Sequence, residues 1–554
     1  MTELPDRSLP WGQRDLQSWA NRPCDVLLIG GGINGAGIAR DLALRGLNVV
    51  LVERDDFGSG TSSASTKLVH GGLRYLENRD FSLVFESCRE RRILQDIAPH
   101  LVGPLPFFIP VYAGDPRPLW MIRLGMWVYD LLALFRNNRH HQILSADKAT
   151  RLEPALHREG LQGVARYWDC RMDDARLCLE NVLAAREAGA RVVNYCQAIA
   201  LKKHRGRLGS ALLRDTESGQ EFELHARCIV NATGPWLDRV AALAGEKKSR
   251  LRPTRGTHIV VQRLNHGDEA LYMTAGRDNR LFFVVPWGNF SLIGTTDTPD
   301  DSEPSQVTPS LDDIDYLLTE AARHLKLPRL GRSDIIAAFS GLRPLIAEDQ
   351  EKAGKISREH RIFIDSSGLI SVGGGKYTTY RSLAAEVSDT VCARLGRKNE
   401  PALTGKIPLP GGVTGRFDSF LRRALPGLCK RLDLEDGQGE QLLRRYGSRI
   451  NQLEPFLASR QDWAKPVVPG SSLLAGEIPF AVRLEFARTP WDILRRRTPL
   501  ALEAGNGLNE LSALAALMAD ELSASAEQME LWQNEYCQQL LTQNPCHDKE
   551  SISC

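Results

Sequence analysis

A strand, glycine turn, helix, strand and acid series beginning at Cys24, alternating apolar runs between 251 and 335, and a helix-compatible stretch from 414 to 542 predict an α/β chain (α+β overall). The expected architecture is a Rossmann-like nucleotide-binding domain, an inserted antiparallel-sheet substrate domain and a C-terminal helical domain. At 554 residues the chain has room for such units, at about 100–200 residues each, with a core in every one.

Residues 1–23 hold acids and prolines but no apolar run, so they read as an N-terminal extension and not a secretory signal. Cys24 to Gly30 is a short apolar run ending in glycine, the pattern of a buried parallel strand. It enters Gly30-Gly31-Gly32-Ile33-Asn34-Gly35, which satisfies G-x-G-x-x-G. Gly30 permits the tight turn, Gly32 lets backbone approach a pyrophosphate, and Gly35 lets the following helix pack closely on the strand. That helix, Ala36 to Arg45, offers its N-terminal N–H groups and dipole to phosphates, and Gly46 stops it. Asn48 to Val52 is a second buried strand ending at Glu53, 21 residues after Gly32, where a ribose-binding carboxylate belongs. Glu53 favours the unphosphorylated ribose of FAD or NAD over NADP and does not separate the first two.

Two later segments bear on that choice. The strand Cys228–Val230 runs into Asn231-Ala232-Thr233-Gly234, and Ile370–Val372 enters Gly373-Gly374-Gly375-Lys376-Tyr377-Thr378 ahead of a helix over Arg381–Leu395. A ligand approached by glycine turns from several sides fits an extended FAD better than a bound-and-released NAD. The FAD-binding domain is therefore assigned in pieces, 24–104, 166–250 and 336–395. The substrate domain takes 105–165 and 251–335. A Gly/Pro linker spans 396–413, the helical domain 414–542, and a disordered tail 543–554. Thr489-Pro490-Trp491-Asp492 gives a helix start through its cap, its proline and its acid.

Composition narrows the class. Seventy Lys+Arg against 68 Asp+Glu leave a charge of +2, which argues against a nucleic-acid coat. At 42% hydrophobic and 25% charged the chain is neither disordered nor an integral membrane protein. No apolar run approaches the roughly 20 residues needed to span a bilayer. The 11 cysteines are scattered without CxxC, so neither a disulfide framework nor a metal site is expected, and a reducing cytoplasm is the natural compartment. The most apolar helical stretch, Leu119 to Phe135, is followed by Arg136, Arg139, His140 and His141. It reads either as an ordinary buried helix, the slightly favoured reading, or as a segment lying at a membrane interface. Arg495-Arg496-Arg497 reads as a solvated helical face, ahead of contact with acidic lipid or a partner subunit.

The block Glu53 to Ser63, continuing through Ser65-Thr66-Lys67-Leu68-Val69-His70-Gly71-Gly72-Leu73-Arg74-Tyr75-Leu76, is far more specific than the glycine motif. With it stand Pro118–Tyr129, Tyr167–Leu177, Arg255-Gly256-Thr257-His258, Gly294-Thr295-Thr296-Asp297, Ser340-Gly341-Leu342-Arg343-Pro344 and Gly374 to Arg381. Over roughly 24–500 these blocks make the chain resemble the FAD-dependent sn-glycerol-3-phosphate dehydrogenases, within the D-amino-acid-oxidase-like flavoproteins. The resemblance implies oxidation of sn-glycerol 3-phosphate to dihydroxyacetone phosphate, with hydride passing from C2 to FAD N5 and electrons going on to quinone. It also implies peripheral attachment to the cytoplasmic face of the inner membrane, and a homodimer is compatible with it. An oxidase giving hydrogen peroxide shares the same site and stays open, as does another oxidase of the wider group.

On this resemblance FAD is held by Gly30, Gly32, Gly35 and Glu53, by Thr61, Ser62, Ser63, Lys67, Leu68 and His70, and by Ala232, Thr233, Gly234, Gly374, Gly375, Lys376 and Thr378. Substrate contacts fall to Arg74, Tyr75, His258, Arg343, Arg358 and Lys376, because a dianionic phosphate ester needs converging cationic donors to offset its desolvation. Loss of the hydroxyl proton requires a base within hydrogen-bond reach. His258 is placed ahead as base or substrate orienter, His70 as the flavin's neighbour, and Arg343 as an electrostatic stabiliser.

Overall fold

A computed structural model describes residues 16–73, 76, 80–134, 137, 139–326, 330–347, 360–398 and 400–547. Its first sheet runs Arg361–Ile364, Ile370–Gly373, Glu221–Asn231, Cys24–Ile29, Val49–Val52, Arg191–Val193. All neighbours in that row pair in parallel except the first two, which are antiparallel. Strands covered on both faces carry continuous apolar runs instead of alternation, and Val49–Val52 is buried at every position. The helices Ile33–Leu44, Asp174–Glu187 and Tyr380–Arg394 contribute Ile38, Leu42, Leu177, Val182, Leu383 and Val387 to the core on one side of this sheet.

The parallel register explains the three glycine approaches. Ile29 lies opposite both Val52 and Asn231, and Asn231 lies opposite Ser371. The turns after these strands therefore leave the same edge of the sheet: Gly30 to Gly32, Glu53, Ala232 to Gly234, and Gly374 to Lys376. Ligands in open α/β sheets bind outside the carboxyl ends of the strands.

The second sheet has ten strands and is mostly antiparallel. Thr254–Gln262 is at its centre, between Phe290–Gly294 and Ile335–Arg343. Val102–Tyr112 pairs along its whole length with Leu161–Met172. The sequence places Ile336–Arg343, and the end of Leu161–Met172, with the first unit, yet both pair in this sheet, as does Leu68–Val69. Composition shifts mark where loops fall but carry no record of which strand edge a segment joins, and long strands cross such boundaries.

From Phe417 to Gln543 the chain is helical, as expected, through six α-helices and a π-turn at Asp492–Arg497. The linker is docked around Leu409–Gly411: Leu409 is fully buried, and the Gly411 N–H donates to Glu180 at 2.8 Å. The expected disorder does not begin at 543, since Asn544 is buried, while 548–554 lie outside the described residues. Nine described cysteines stand outside any disulfide, and Cys537 is disulfide-bonded. No helix among the described residues is long and apolar enough to cross a membrane.

Candidate active site

The carboxyl edge of the first sheet and the face of the second enclose a cavity of about 670 Å³. Of the residues expected to hold FAD, Gly30, Gly32, Glu53, Thr61, Ser62, Leu68, His70, Ala232, Thr233, Gly234, Gly374, Gly375, Lys376 and Thr378 line it. His258, Arg343 and Lys376 from the substrate set line the same space. Arg74, Tyr75 and Arg358 lie outside the described residues. Three of the expected residues do not line it. A Cβ on Gly35 would stand 1.8 Å from the Gly30 carbonyl oxygen, so this glycine serves packing. Lys67 is buried away from the cavity, its Nζ 2.5 Å from Asp174. The Ser63 side chain is likewise buried, and its carbonyl accepts a hydrogen bond from Arg495.

The cavity suits an extended dinucleotide. Glu53 accepts the Gly31 N–H at 2.6 Å and the Asp55 N–H at 3.0 Å, and burial pushes its carboxyl up to about 7. A carboxyl so placed can exchange hydrogen bonds with a ribose diol in either protonation state. Built on Gly234, a Cβ would meet nothing within 4 Å, and on Gly32 only the Ser62 hydroxyl, so backbone faces open space at both. The Trp236 indole N–H is buried at the cavity wall and finds no acceptor among the described residues, a donor left for a ligand. Sequence reasoning assigned Trp236 no role; its one signal was its place just after the Asn231–Gly234 turn.

Arg343 leaves the end of its strand half-buried. Its guanidinium donates to the Thr296 carbonyl at 3.1 Å, Asp297 at 3.0 Å and the Thr295 hydroxyl at 2.9 Å. A Cβ on Gly256 would stand 2.4 Å from Arg343 Nη2, so the glycine of Arg255-Gly256-Thr257-His258 makes room for this cation. His258 follows on the same strand. Its Nε2 meets the Thr66 hydroxyl at 2.9 Å, and its ring stacks on Phe339 with centroids 5.0 Å apart and planes 14° apart. A Cβ on Gly294 would stand 2.2 Å from the His258 ring. Burial, then the charges of Arg343, Lys67 and Arg495, hold the imidazole well below its ordinary value, so it is neutral at pH 7. Asp297 and the two glycines belong to motifs the sequence exposed, but their task of seating Arg343 and His258 needed three dimensions.

The Arg495–Arg497 run corrects the expectation of a solvated face. All three are buried. Arg496 and Arg497 converge on Asp56, in the loop after Glu53, at 2.5 and 2.6 Å. The C-terminal domain thus packs directly behind the cavity wall.

Known proteins bear on this geometry. A family profile described as FAD dependent oxidoreductase matches residues 25–381, and one described as the C-terminal domain of alpha-glycerophosphate oxidase matches 402–529. A glycerol-3-phosphate dehydrogenase of Synechocystis sp. is 38% identical over 533 residues, covering 93% of this chain and 96% of the relative. Its Mycobacterium leprae counterpart is 36% identical over 511 residues, covering 91% and 86%. The crystal structure of the Bacillus halodurans glycerol-3-phosphate dehydrogenase complexed with FAD superposes with a TM-score of 0.80 at 30% identity, covering 95% of this chain and 96% of that one. With matches across both the cavity-forming sheets and the helical domain, this chain belongs to the FAD-dependent glycerol-3-phosphate dehydrogenase family of oxidoreductases.

Proposed function

We propose that this chain oxidises sn-glycerol 3-phosphate to dihydroxyacetone phosphate and delivers the electrons to a membrane quinone. The observation that carries the reading is one cavity of flavin size with the cations Arg343 and Lys376 and the neutral imidazole of His258 in its wall. Arg343 is held before substrate arrives by Thr295, Thr296 and Asp297, so little side-chain freedom is lost when it meets a phosphate. His258 takes the substrate's hydroxyl proton at Nε2, the nitrogen that meets Thr66. FAD, when bound, supplies the two-electron acceptor for the C2 hydride.

The helix Leu119–Leu132 supports a membrane acceptor. Its inner side, Met126 and Tyr129, packs in the cluster that also holds Tyr167, Tyr272 and Phe283 of the cavity wall. Its outer side presents Trp120, Leu124 and Trp127, each more than half exposed, with Arg123 beside them. An apolar, aromatic, basic-flanked face next to a flavin cavity suits attachment to the membrane that holds the quinone. The match of 402–529 to an oxidase domain favours a second reading, in which O2 is the acceptor and hydrogen peroxide the product.

Anaerobic absorbance tests both. Glycerol 3-phosphate should bleach the oxidised flavin bands of the purified protein, and a soluble quinone analogue should restore them faster than air. Bands that do not respond discard the substrate. Stoichiometric peroxide under air, with no quinone response, replaces the acceptor.

A further inference from the structure

Among the three consecutive buried arginines, Arg495 stands apart. Arg496 and Arg497 are neutralised by Asp56 and Asp492. Arg495 has no carboxylate partner within salt-bridge distance among the described residues. It donates through Nη2 to the Ser63 carbonyl at 3.0 Å, and its guanidinium lies over the Phe339 ring at 5.1 Å. Burying a cation is costly, and the carboxylates of Asp174 and Asp173, which act on Arg495 only from beyond that distance, with a single carbonyl and one aromatic face, offset only part of that cost. What the placement does achieve is contact with both supports of His258. Phe339 is the ring on which His258 stacks, and Ser63 begins the short segment ending at Thr66, whose hydroxyl meets Nε2.

We propose that Arg495, contributed by the C-terminal domain, is a positioning residue for His258: it fixes the Phe339 ring and the Ser63–Thr66 segment, and so sets the orientation and charge state of the imidazole. The consequence is that the helical domain completes the active site, although no residue of it lines the cavity. The charged groups facing His258 come from three directions. Arg343 shares the strand of Phe339, Lys67 follows Thr66 and is itself bound by Asp174, and Arg495 reaches in from the π-turn. Arg343 is committed to Asp297 and Lys67 to Asp174, which leaves Arg495 as the cation whose removal changes the field at His258 without freeing a paired carboxylate.

The proposal concerns how His258 is held, and its effect on turnover rests on the reading of His258 as the base. The test therefore uses two readouts on flavin-loaded protein. One is the titration of His258, followed by NMR of protein carrying labelled histidine and assigned with His258→Gln. The other is the pH profile of kcat and KM for glycerol 3-phosphate. Arg495→Gln should raise the His258 titration by at least about half a pH unit, because a like charge has gone. The acid limb of kcat should move with it, while KM stays within about twofold, since Arg495 does not touch substrate. Arg495→Lys keeps the charge but not the planar stack, and should leave the titration near the parent while lowering kcat. A His258 titration that moves while the kcat profile stands still supports the positioning and removes His258 as base. A titration unchanged in Arg495→Gln overturns the proposal. If that variant does not fold, Phe339→Leu opens the stack from the other side, and an unaltered His258 titration there overturns it equally.

Discussion

At the scale of single residues, two glycines are as informative as the side chains they serve. Gly294 and Gly256 are strand residues whose missing Cβ leaves space for the His258 ring and the Arg343 guanidinium. Their motifs were visible in the sequence, and His258 and Arg343 were read as site residues from them. The clearance was not, because it depends on strands paired as His258 with Gly294 and Gly256 with Gly341. Gly294→Ala places a carbon 2.2 Å from the imidazole, so the ring must move. Displacement of a catalytic group by about 1 Å can cost on the order of 100-fold in rate, and overpacking costs about 1–3 kcal/mol in stability. The variant should retain flavin and lose kcat far more than it raises KM. Steady-state kinetics beside flavin content checks this, and parental kcat would remove His258 from the chemistry. Lys67 teaches the complementary lesson: it is a cation inside the most specific motif, and the carboxylate that its Nζ meets, Asp174, lies 107 residues away.

At the scale of elements, Leu119–Leu132 shows where reading a pattern stops. Both sides of this helix are apolar, so periodicity could not name the side that faces the protein, and the buried reading was slightly favoured. The structure buries Met126, Tyr129 and Asp130 and leaves Trp120, Leu124, Trp127 and Leu131 on the outside. Those four recur at intervals of four, three and four, which is one face of an α-helix. The strands of the first sheet were legible because burial on both faces leaves an uninterrupted apolar run, whereas the sheet that Ile335–Arg343 joins was not, because its pairing partner lies elsewhere in the chain. Removing two large aromatic side chains from a lipid contact costs about 1.5–3 kcal/mol each, so vesicle affinity should fall by at least about tenfold in Trp120→Ser/Trp127→Ser. Co-sedimentation with anionic phospholipid vesicles measures this, with soluble turnover as the control. Unchanged vesicle binding removes this helix from the membrane contact. A dimer that becomes a monomer in the variant assigns the face to a second copy of the chain.

At the scale of the whole molecule, two carboxylates fasten the helical domain to the flavin-binding sheet. Asp56 is bound by Arg496 and Arg497, some 440 residues further along, and Glu485 is bound by Arg176 and Arg449. This distance explains why the arginine run looked solvated from sequence: nothing local reveals a counter-ion that arrives from the other end of the chain. The paired guanidinium groups outweigh burial and hold both carboxyls down to about 2. A carboxylate whose folded value lies below its unfolded value contributes stability above the ordinary carboxylate range and loses it as pH falls toward the folded value. The seam should therefore weaken between about pH 4.5 and about pH 2, with the unfolded chain taking up the protons. Asp56→Asn keeps the shape but takes the carboxylate from Arg497 and leaves Arg496 with Asp492 alone, a loss of about 3–5 kcal/mol by analogy with broken buried pairs. The variant should unfold at lower denaturant at pH 7 and show a shallower loss of stability on acidification, since one of the two titrating carboxylates is gone. Denaturant midpoints of parent and variant from pH 7 to pH 3 decide the matter. Equal acid slopes would mean that Asp56 does not carry the linkage, and that the two domains are held together chiefly by their apolar contacts.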